Sequence, residues 1–218
     1  QGTFIKSWWG GINSENKFYA NVGPNNYRNL KIRTGNKRDW SFDGFFANND
    51  GFRDQSGYDQ QKIKIQSNFT FSSWNASLKA TLTNLNQETA GYVNGLDSYK
   101  DEGFSKRNFN PDAYRDANSQ RISLRLTRNN GDTLDSITPY IRSNDMKFFQ
   151  HFLPGTPLEE NNHKSIGFIF QKISDYESYS LVRGLQVDLA QAELTETQQN
   201  SLTTSSAFNN ATRPKGKH

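Results

Sequence analysis

The chain has 218 residues, of which 33% are hydrophobic, and its mean hydropathy is -0.90, so a thick two-sided apolar core is not expected. Its net charge is +4, but the 26 basic residues are interspersed with 22 acidic ones, which argues against a continuous nucleic-acid-binding patch. It has no cysteine and no run of roughly 18 apolar residues, which excludes disulfides, thiolate metal sites and a helical membrane protein.

The first third of the chain predicts short strands separated by polar turns. Residues 1–13 give no clear pattern. Strands are predicted over 17–22, 27–33 and 38–47, with turns at Gly23 and Pro24 and at Gly35 and Asn36. A polar loop follows over 48–59.

The clearest signal is a hairpin formed by residues 61–72 and 76–85, with its turn at 73–75. Side chains in a strand alternate between the two faces, and here one face is apolar and the other polar. The same alternation returns over 121–128, 165–172 and 181–189. We therefore expect one outward apolar face that is exposed in the protein, made of Ile63, Ile65, Phe69, Phe71, Leu78, Leu82, Ile122, Leu124, Leu126, Ile166, Phe168 and Phe170.

Long connections alternate with short turns along the rest of the chain. A connection is predicted over 86–119, a tight turn at Asn129 to Asp132, a second long loop over 146–163 and a turn near Asp175 and Tyr176; after Thr195 the chain is predicted to be an unfinished loop. Short turns at one end and long loops at the other, joining about eight to ten strands, are typical of a transmembrane β-barrel.

Two further patterns fit that barrel. Aromatic residues near the predicted strand ends match interfacial girdles, namely Trp40, Trp74, Tyr140 and Tyr176. Cationic residues on the polar side of the strands are expected to line a wet interior, namely Lys62, Lys64, Lys79, Arg121 and Arg125.

The long connection 86–119 carries a candidate ligand-binding set. Its aromatic faces and cations suit an anionic or aromatic chelate, which they can bind by stacking and charge-assisted hydrogen bonds; ordinary loop packing is the alternative. The set consists of Tyr92, Tyr99, Lys100, Arg107, Tyr114 and Arg115.

The loop 146–163 adds His151 and Glu159 to the candidate ligand-binding residues, again with loop packing as the alternative. Catalysis by an acid and base pair needs two carboxyl groups whose pKa values are driven apart, and the adjacent Glu159 and Glu160 in a polar loop do not provide this. His163 has no partner at a metal-ligand spacing. No enzyme activity is predicted.

No cofactor or metal is predicted either. Oxygen ligands near two glycines suggest calcium, but their spacing does not match an EF-hand loop, so a solvated turn is preferred; they are Asp50, Asp54, Ser56 and Asp59. The terminal RPKGKH cluster is interpreted as a solvated end.

Several segments resemble the barrel domain of TonB-dependent outer-membrane receptors of the iron-receptor type. They are NNDGFRDQSGYDQQK at 48–62, QETAGYVNGLDSYKD at 87–101, NPDAYRDANSQR at 110–121, TPYIR at 138–142, HFLPGTPLEEN at 151–161 and TRPKGKH at 212–218. The resemblance implies a barrel of about 22 strands with an N-terminal plug, located in the bacterial outer membrane. It further implies uptake of a scarce nutrient such as a ferric siderophore, with membrane lipid and a small-molecule or metal-chelate solute as partners, no nucleic acid, and TonB contacted only through N-terminal parts that this chain lacks.

The chain departs from that family in its length and in having no recognisable plug. Residues 1–218 are therefore predicted to be a partial barrel domain and an internal piece of a larger protein. The alternative is a soluble all-β ligand- or carbohydrate-binding module, such as a lectin-like sandwich, in which two sheets bury their apolar faces against each other. Burial of the apolar face distinguishes the two.

Overall fold

The structure is a computed structural model that describes residues 16–36, 39–151 and 153–198. These residues form one antiparallel sheet of nine strands in chain order, open at its edges β1 and β9. The strands are β1 (Lys17–Gly23), β2 (Tyr27–Gly35), β3 (Trp40–Asn49), β4 (Tyr58–Phe71), β5 (Trp74–Glu88), β6 (Tyr114–Asn130), β7 (Thr133–Phe149), β8 (Leu158–Asp175) and β9 (Ser180–Thr197). The all-β antiparallel prediction is confirmed.

One face of the sheet is apolar over most of its strands, and we call it the apolar face. Directly opposed residues of neighbouring strands share a face, so the register defines rows across the sheet. One row runs through Ile65, Ala80, Ile122, Ile141, Ile166 and Leu189.

The side chains of this face are exposed, as predicted. Nine of the twelve named above have exposed fractions between 37% and 70%, and Ile63, Leu124 and Leu126 are half-buried. On the opposite, polar face the reverse holds, because Gln66, Lys79 and Ser123 are buried. In the described residues no second sheet covers the apolar face, so the arrangement is not that of a sandwich.

The apolar side chains of the apolar face form a continuous band, which we call the apolar band. This band crosses the rows diagonally. The row of Val22 in β1 passes through Arg28, Asn48, Asp59, Asn86, Asp116, Lys147 and Glu160 and reaches Thr195 in β9. The last apolar residue on this face of β9 is Leu189, six residues before Thr195. For this band to lie parallel to the plane of a membrane, the strands must be tilted by roughly 30° from the membrane normal. Such a tilt is close to that of transmembrane barrel strands.

The connections divide between two ends of the sheet. The short-turn end holds residues 36–39, 72–73, 131–132 and 176–179, and the loop end holds 50–57, 89–113 and 150–157. One short turn departs from the prediction. Residues 24–26 join β1 to β2 at the loop end, where Pro24 and Asn25 accept hydrogen bonds from Asn49 and Asp50.

The strands extend further towards the loop end than predicted. The connection predicted over 86–119 spans only 89–113, and the loop predicted over 146–163 spans only 150–157. As a result Tyr114 and Arg115 belong to β6, Glu159 belongs to β8, and Thr195 lies in β9 rather than in a loop. Residues 1–13 and the RPKGKH cluster lie outside the described residues.

Three of the four predicted girdle residues lie at the short-turn end, namely Trp40, Trp74 and Tyr176. Tyr140 contradicts the prediction, because it lies in the middle of β7 on the polar face and is only 5% exposed. Its ring occupies the space left by Gly167 on β8, where an added Cβ would come within 2.7 Å of the phenol oxygen. Aromatic rings are known to cover glycines on the adjacent strand of a β-sheet in this way.

The helices of the described residues are short, a 3-10 turn at Ser98–Lys100 and α1 at Glu102–Lys106. None of the helices found in the described ranges is long and apolar enough to cross a membrane.

Candidate solute-binding end of the sheet

The three long connections at the loop end pack together, with loop 89–113 in contact with each of the other two. The backbone N–H of Asp54 donates to Lys106 O at 2.9 Å, and Asn108 Nδ2 donates to Gln55 O at 2.8 Å. These bonds join loop 50–57 to loop 89–113. Arg53 strengthens the contact by donating from Nη1 to the carbonyl of Gly91.

Loop 89–113 also touches loop 150–157 where Gly91 approaches His151. A Cβ at Gly91 would lie 3.0 Å from His151 Nε2 and 2.6 Å from Asn110 Oδ1. A methyl group at this position would therefore have to displace the ends of the Asn110 and His151 side chains. The two long loops thus lie together at one end of the sheet, as the predicted alternation of long loops with short turns requires.

Gly91→Ala is expected to loosen the contact between these two loops, because the new methyl group displaces the ends of the Asn110 and His151 side chains. Hydrogen–deuterium exchange in residues 89–113 should rise severalfold, with exchange in β4 to β8 unchanged. Gly103→Ala in α1 is the matched control, because a Cβ there meets Asp101 Oδ1 at an ordinary 3.5 Å. Equal exchange in the two variants would contradict the packing assigned to Gly91.

Burial lowers the pKa of the His151 imidazole below its usual range. The ring is therefore neutral at pH 7 and can donate or accept a hydrogen bond. The next residue along the chain helps to hold this loop, because Gln150 Nε2 donates to Glu159 Oε2 at 2.6 Å and Gln150 N donates to Pro157 O at 2.8 Å. The carboxylate of Glu159, near the start of β8, thus makes a structural contact with this loop.

The base of the loop end carries a row on the polar face through Gln87, Arg115, Phe148 and Glu159. The guanidinium of Arg115 lies 4.4 Å from the centroid of the Phe148 ring, within cation–π range. Arg115 Nε is buried and makes no hydrogen bond to the described residues. This row offers a cation, an aromatic face and a carboxylate side by side.

The tip of loop 89–113 holds a second group of the predicted residues. Lys100 Nζ lies 5.8 Å from the Tyr99 ring and 3.0 Å from Asp97 Oδ1, and Arg107 lies 5.1 Å from the Phe109 ring. The short helix α1 positions this tip, since Asp101 caps it by accepting from Phe104 N at 2.8 Å. Tyr99 remains 66% exposed.

The candidate residues therefore do not form a single cluster. Arg115, His151 and Glu159 lie at the base of the loop end, and Tyr99, Lys100 and Arg107 lie at the tip. Tyr92 is exposed beside Gly91. Tyr114 points away from Arg115, onto the apolar-face side, where it stacks on Phe149 with ring centroids 6.4 Å apart.

Sequence analysis missed Phe148, Gln150, Arg53 and Asn110. Phe148 can be found from the sequence, because the alternation of side chains along β7, continued past residue 146, places it on the same face as Arg115. The other three carry no periodic signal, because their roles depend on contacts between loops.

Below the loops, the polar face is strongly cationic across three strands. The predicted wall residues Lys62, Lys64, Lys79, Arg121 and Arg125 all point to this side, as their alternation predicts. Along β4, β5 and β6 the polar face carries no carboxylate. The carboxylates of the polar face lie on other strands: besides Glu159 on β8, Asp43 pairs with Arg33, and Asp188 Oδ2 lies 2.6 Å from Arg142 Nη2.

An open cleft of about 500 Å³ continues this cationic surface at the short-turn end. Arg125 and Asp39 supply its charges, and the other polar side chains are neutral: Gln66, Asn68, Thr70, Asn75, Ser77 and Thr127. Loops, cationic wall and cleft follow one another along the polar face. No group of three or more metal-ligating side chains occurs among the residues that the structure describes.

Comparison with known proteins supports the fold. No protein-family model and no curated protein matches the chain. Among solved structures it is similar to the ferric citrate transporter FecA in its unliganded form, with a TM-score of 0.61 and 9% sequence identity. The match covers 86% of this chain and 30% of the transporter, so the chain spans less than a third of that structure. At this identity the likeness shows the fold alone: the nine-stranded antiparallel sheet is similar to part of the barrel-type fold of that structure.

Proposed function

We propose that the chain is part of the barrel of a TonB-dependent outer-membrane receptor that takes up a scarce nutrient such as a ferric siderophore. The observation that carries this proposal is that the apolar face is exposed while the cationic polar face is buried, the reverse of the arrangement in soluble proteins. An apolar face of this kind is stable against lipid and not against water. The diagonal apolar band and the fold of FecA support the same location.

The solute class follows from the polar face. A wall with several cations and no carboxylate on β4 to β6 favours an anion, and Arg115 with Phe148 favours one that has both negative oxygens and a flat face. Metal chelates built on carboxylates or catechols have these properties. In this proposal the remaining strands, the plug and the contact with TonB belong to parts of the protein outside this chain, and the protein is a transporter without enzyme activity.

The soluble all-β module is the weaker alternative. It needs a partner layer for the apolar face, and no strand pair in the described residues provides one. A soluble module of this size is expected to bury most of these side chains.

Fractionation and titration test the proposal together. The complete protein that contains this chain should be found in the outer-membrane fraction and require detergent for extraction. Once purified, it should bind an anionic ferric chelate such as ferric citrate at least tenfold more tightly than a neutral ferric chelate of similar size. Recovery of monomeric protein without detergent would contradict the membrane location, and equal affinity for the two chelates would contradict the solute class.

A further inference from the structure

A row of charges borders the apolar face at the short-turn end. Arg128, Asp135, Lys172 and Arg183 oppose one another across β6, β7, β8 and β9. We call these four residues the short-turn row. Three cations face one carboxylate, which leaves two positive charges without compensation inside the row.

The contacts within the row hold two of its cations in place. Arg128 Nη2 lies 3.3 Å from Asp135 Oδ2, and Lys172 Nζ lies 3.6 Å from Asp135 Oδ1. The Arg128 guanidinium also lies 4.8 Å from the centroid of the Trp74 ring. Arg128 and Lys172 nevertheless keep more than a third of their side-chain surface exposed, so they remain accessible to a ligand.

The position of the row relative to the apolar band is fixed by the register. The neighbouring row on the same face is apolar and lies two residues further along each strand, roughly 7 Å from the short-turn row. It consists of Leu126, Ile137, Phe170 and Leu185. On the other side, the stacked rings of Tyr176 and Tyr179 occupy the β8–β9 turn with centroids 4.7 Å apart. The acidic residues Asp132 and Glu177 lie in the turns, beyond the strand ends. The cations thus lie between hydrocarbon-like side chains and interfacial aromatic rings.

The opposite border of the apolar band has a different chemistry. On β6 to β9 the row next to the band contains Gln120, Ser143, Lys164 and Gln191, and the row after it contains Asn118, Asp145, Asn162 and Glu193. Asn162 Nδ2 donates to Asp145 Oδ1 at 2.6 Å. These two rows hold one cation and two carboxylates, whereas the short-turn row holds three cations and one carboxylate. On these four strands the net charge beside the band is therefore negative at the loop end and positive at the short-turn end.

We propose that the short-turn row binds the phosphate of an anionic phospholipid in the leaflet that surrounds the short-turn end. This inference rests on the membrane location in the proposed function and is independent of which solute is taken up. A guanidinium presents paired donors that match phosphate oxygens, and long cationic side chains reach from the edge of the hydrocarbon to the headgroups. Asp135 keeps Arg128 and Lys172 at headgroup depth without neutralising the row.

Native mass spectrometry of the complete protein in detergent, with equal amounts of phosphatidylglycerol and phosphatidylcholine, tests this site. Two net charges at a membrane surface predict about a five- to tenfold preference for phosphatidylglycerol at low ionic strength, and a smaller one in high salt. The combined variant Arg128→Gln, Lys172→Gln and Arg183→Gln should bring the ratio close to one. Asp135→Asn alone should raise the preference.

The matched control removes three cations from the same face at the loop end, through Arg28→Gln, Lys147→Gln and Lys164→Gln, and should leave the preference unchanged. If the combined variant does not fold, Arg183→Gln alone is used, and it should lower the ratio partway. A folded combined variant, or a folded Arg183→Gln variant, with the full preference would overturn the site. Loss of chelate binding with the lipid preference intact would overturn the proposed solute class and leave the lipid site standing, whereas protein that never enters the membrane fraction would overturn both.

Discussion

Phe168→Arg should destabilise the barrel by about 2–4 kcal/mol, the cost of a cation near the middle of a lipid-facing strand. Phe168 lies on β8 between the exposed Ile166 and Phe170 and opposes Val187 on β9. In water the same substitution at a partly exposed position would cost little. The measurement is the free energy of unfolding of the complete barrel in phospholipid vesicles, from a reversible denaturant titration.

Gln171→Arg is the control for this prediction. Gln171 lies three residues further along the same strand on the polar face, opposite Ser136 and Gly184. An added cation there meets water, so its effect should stay within about 0.5 kcal/mol. Equal and small losses in the two variants would contradict a lipid-facing apolar face.

Replacing Tyr99, Arg107 and Arg115 together by Ala should weaken binding of an anionic chelate by about a hundredfold. Charge-assisted hydrogen bonds contribute about 1.5–3 kcal/mol each, and the variant removes two cations and one exposed ring. Tyr99 and Arg107 lie at the tip of loop 89–113, outside the strand pairing, and Arg115 is held mainly by the ring of Phe148. The folded barrel should therefore assemble normally, as surface expression and heat-dependent gel mobility will show.

A variant that removes one tyrosine and two cations at the short-turn end controls for general loss of charge. Tyr179→Ala, Lys172→Ala and Arg183→Ala together should leave chelate affinity unchanged. Unchanged affinity in the loop variant as well would show that these side chains serve loop packing, and that the solute is recognised elsewhere on the protein.

The sequence predicted the strands well where their two faces meet different surroundings. Between Trp74 and Leu82, for example, every second residue is apolar, and the alternation is plain. Beyond the apolar band it disappears, because outward residues such as Asp116 and Asn118 are as polar as the inward ones. Strand ends in that region therefore look like loops, which explains why the loops were predicted too long.

For the candidate site the sequence supplies residue types but not the contacts between them. A cation and an aromatic residue in one segment do not reveal which pairs meet, and Arg115 contacts Phe148 from a different strand rather than a neighbour in its own loop. Tyr140 shows the same limit. Aromatic character suggested a girdle residue, but Gly167 on the adjacent strand leaves the space that the Tyr140 ring fills.

Accessibility along β5 tests the central claim most directly, namely that one face of the sheet meets lipid and the other meets water. The chain contains no cysteine, so a spin label can be attached at single introduced cysteines at each position from Ser77 to Leu82. In the complete protein in bilayers, labels at Leu78, Ala80 and Leu82 should collide mainly with oxygen, which concentrates in lipid. Labels at Ser77, Lys79 and Thr81 should collide mainly with a water-soluble nickel complex. Equal access of the nickel complex at all six positions would contradict the account.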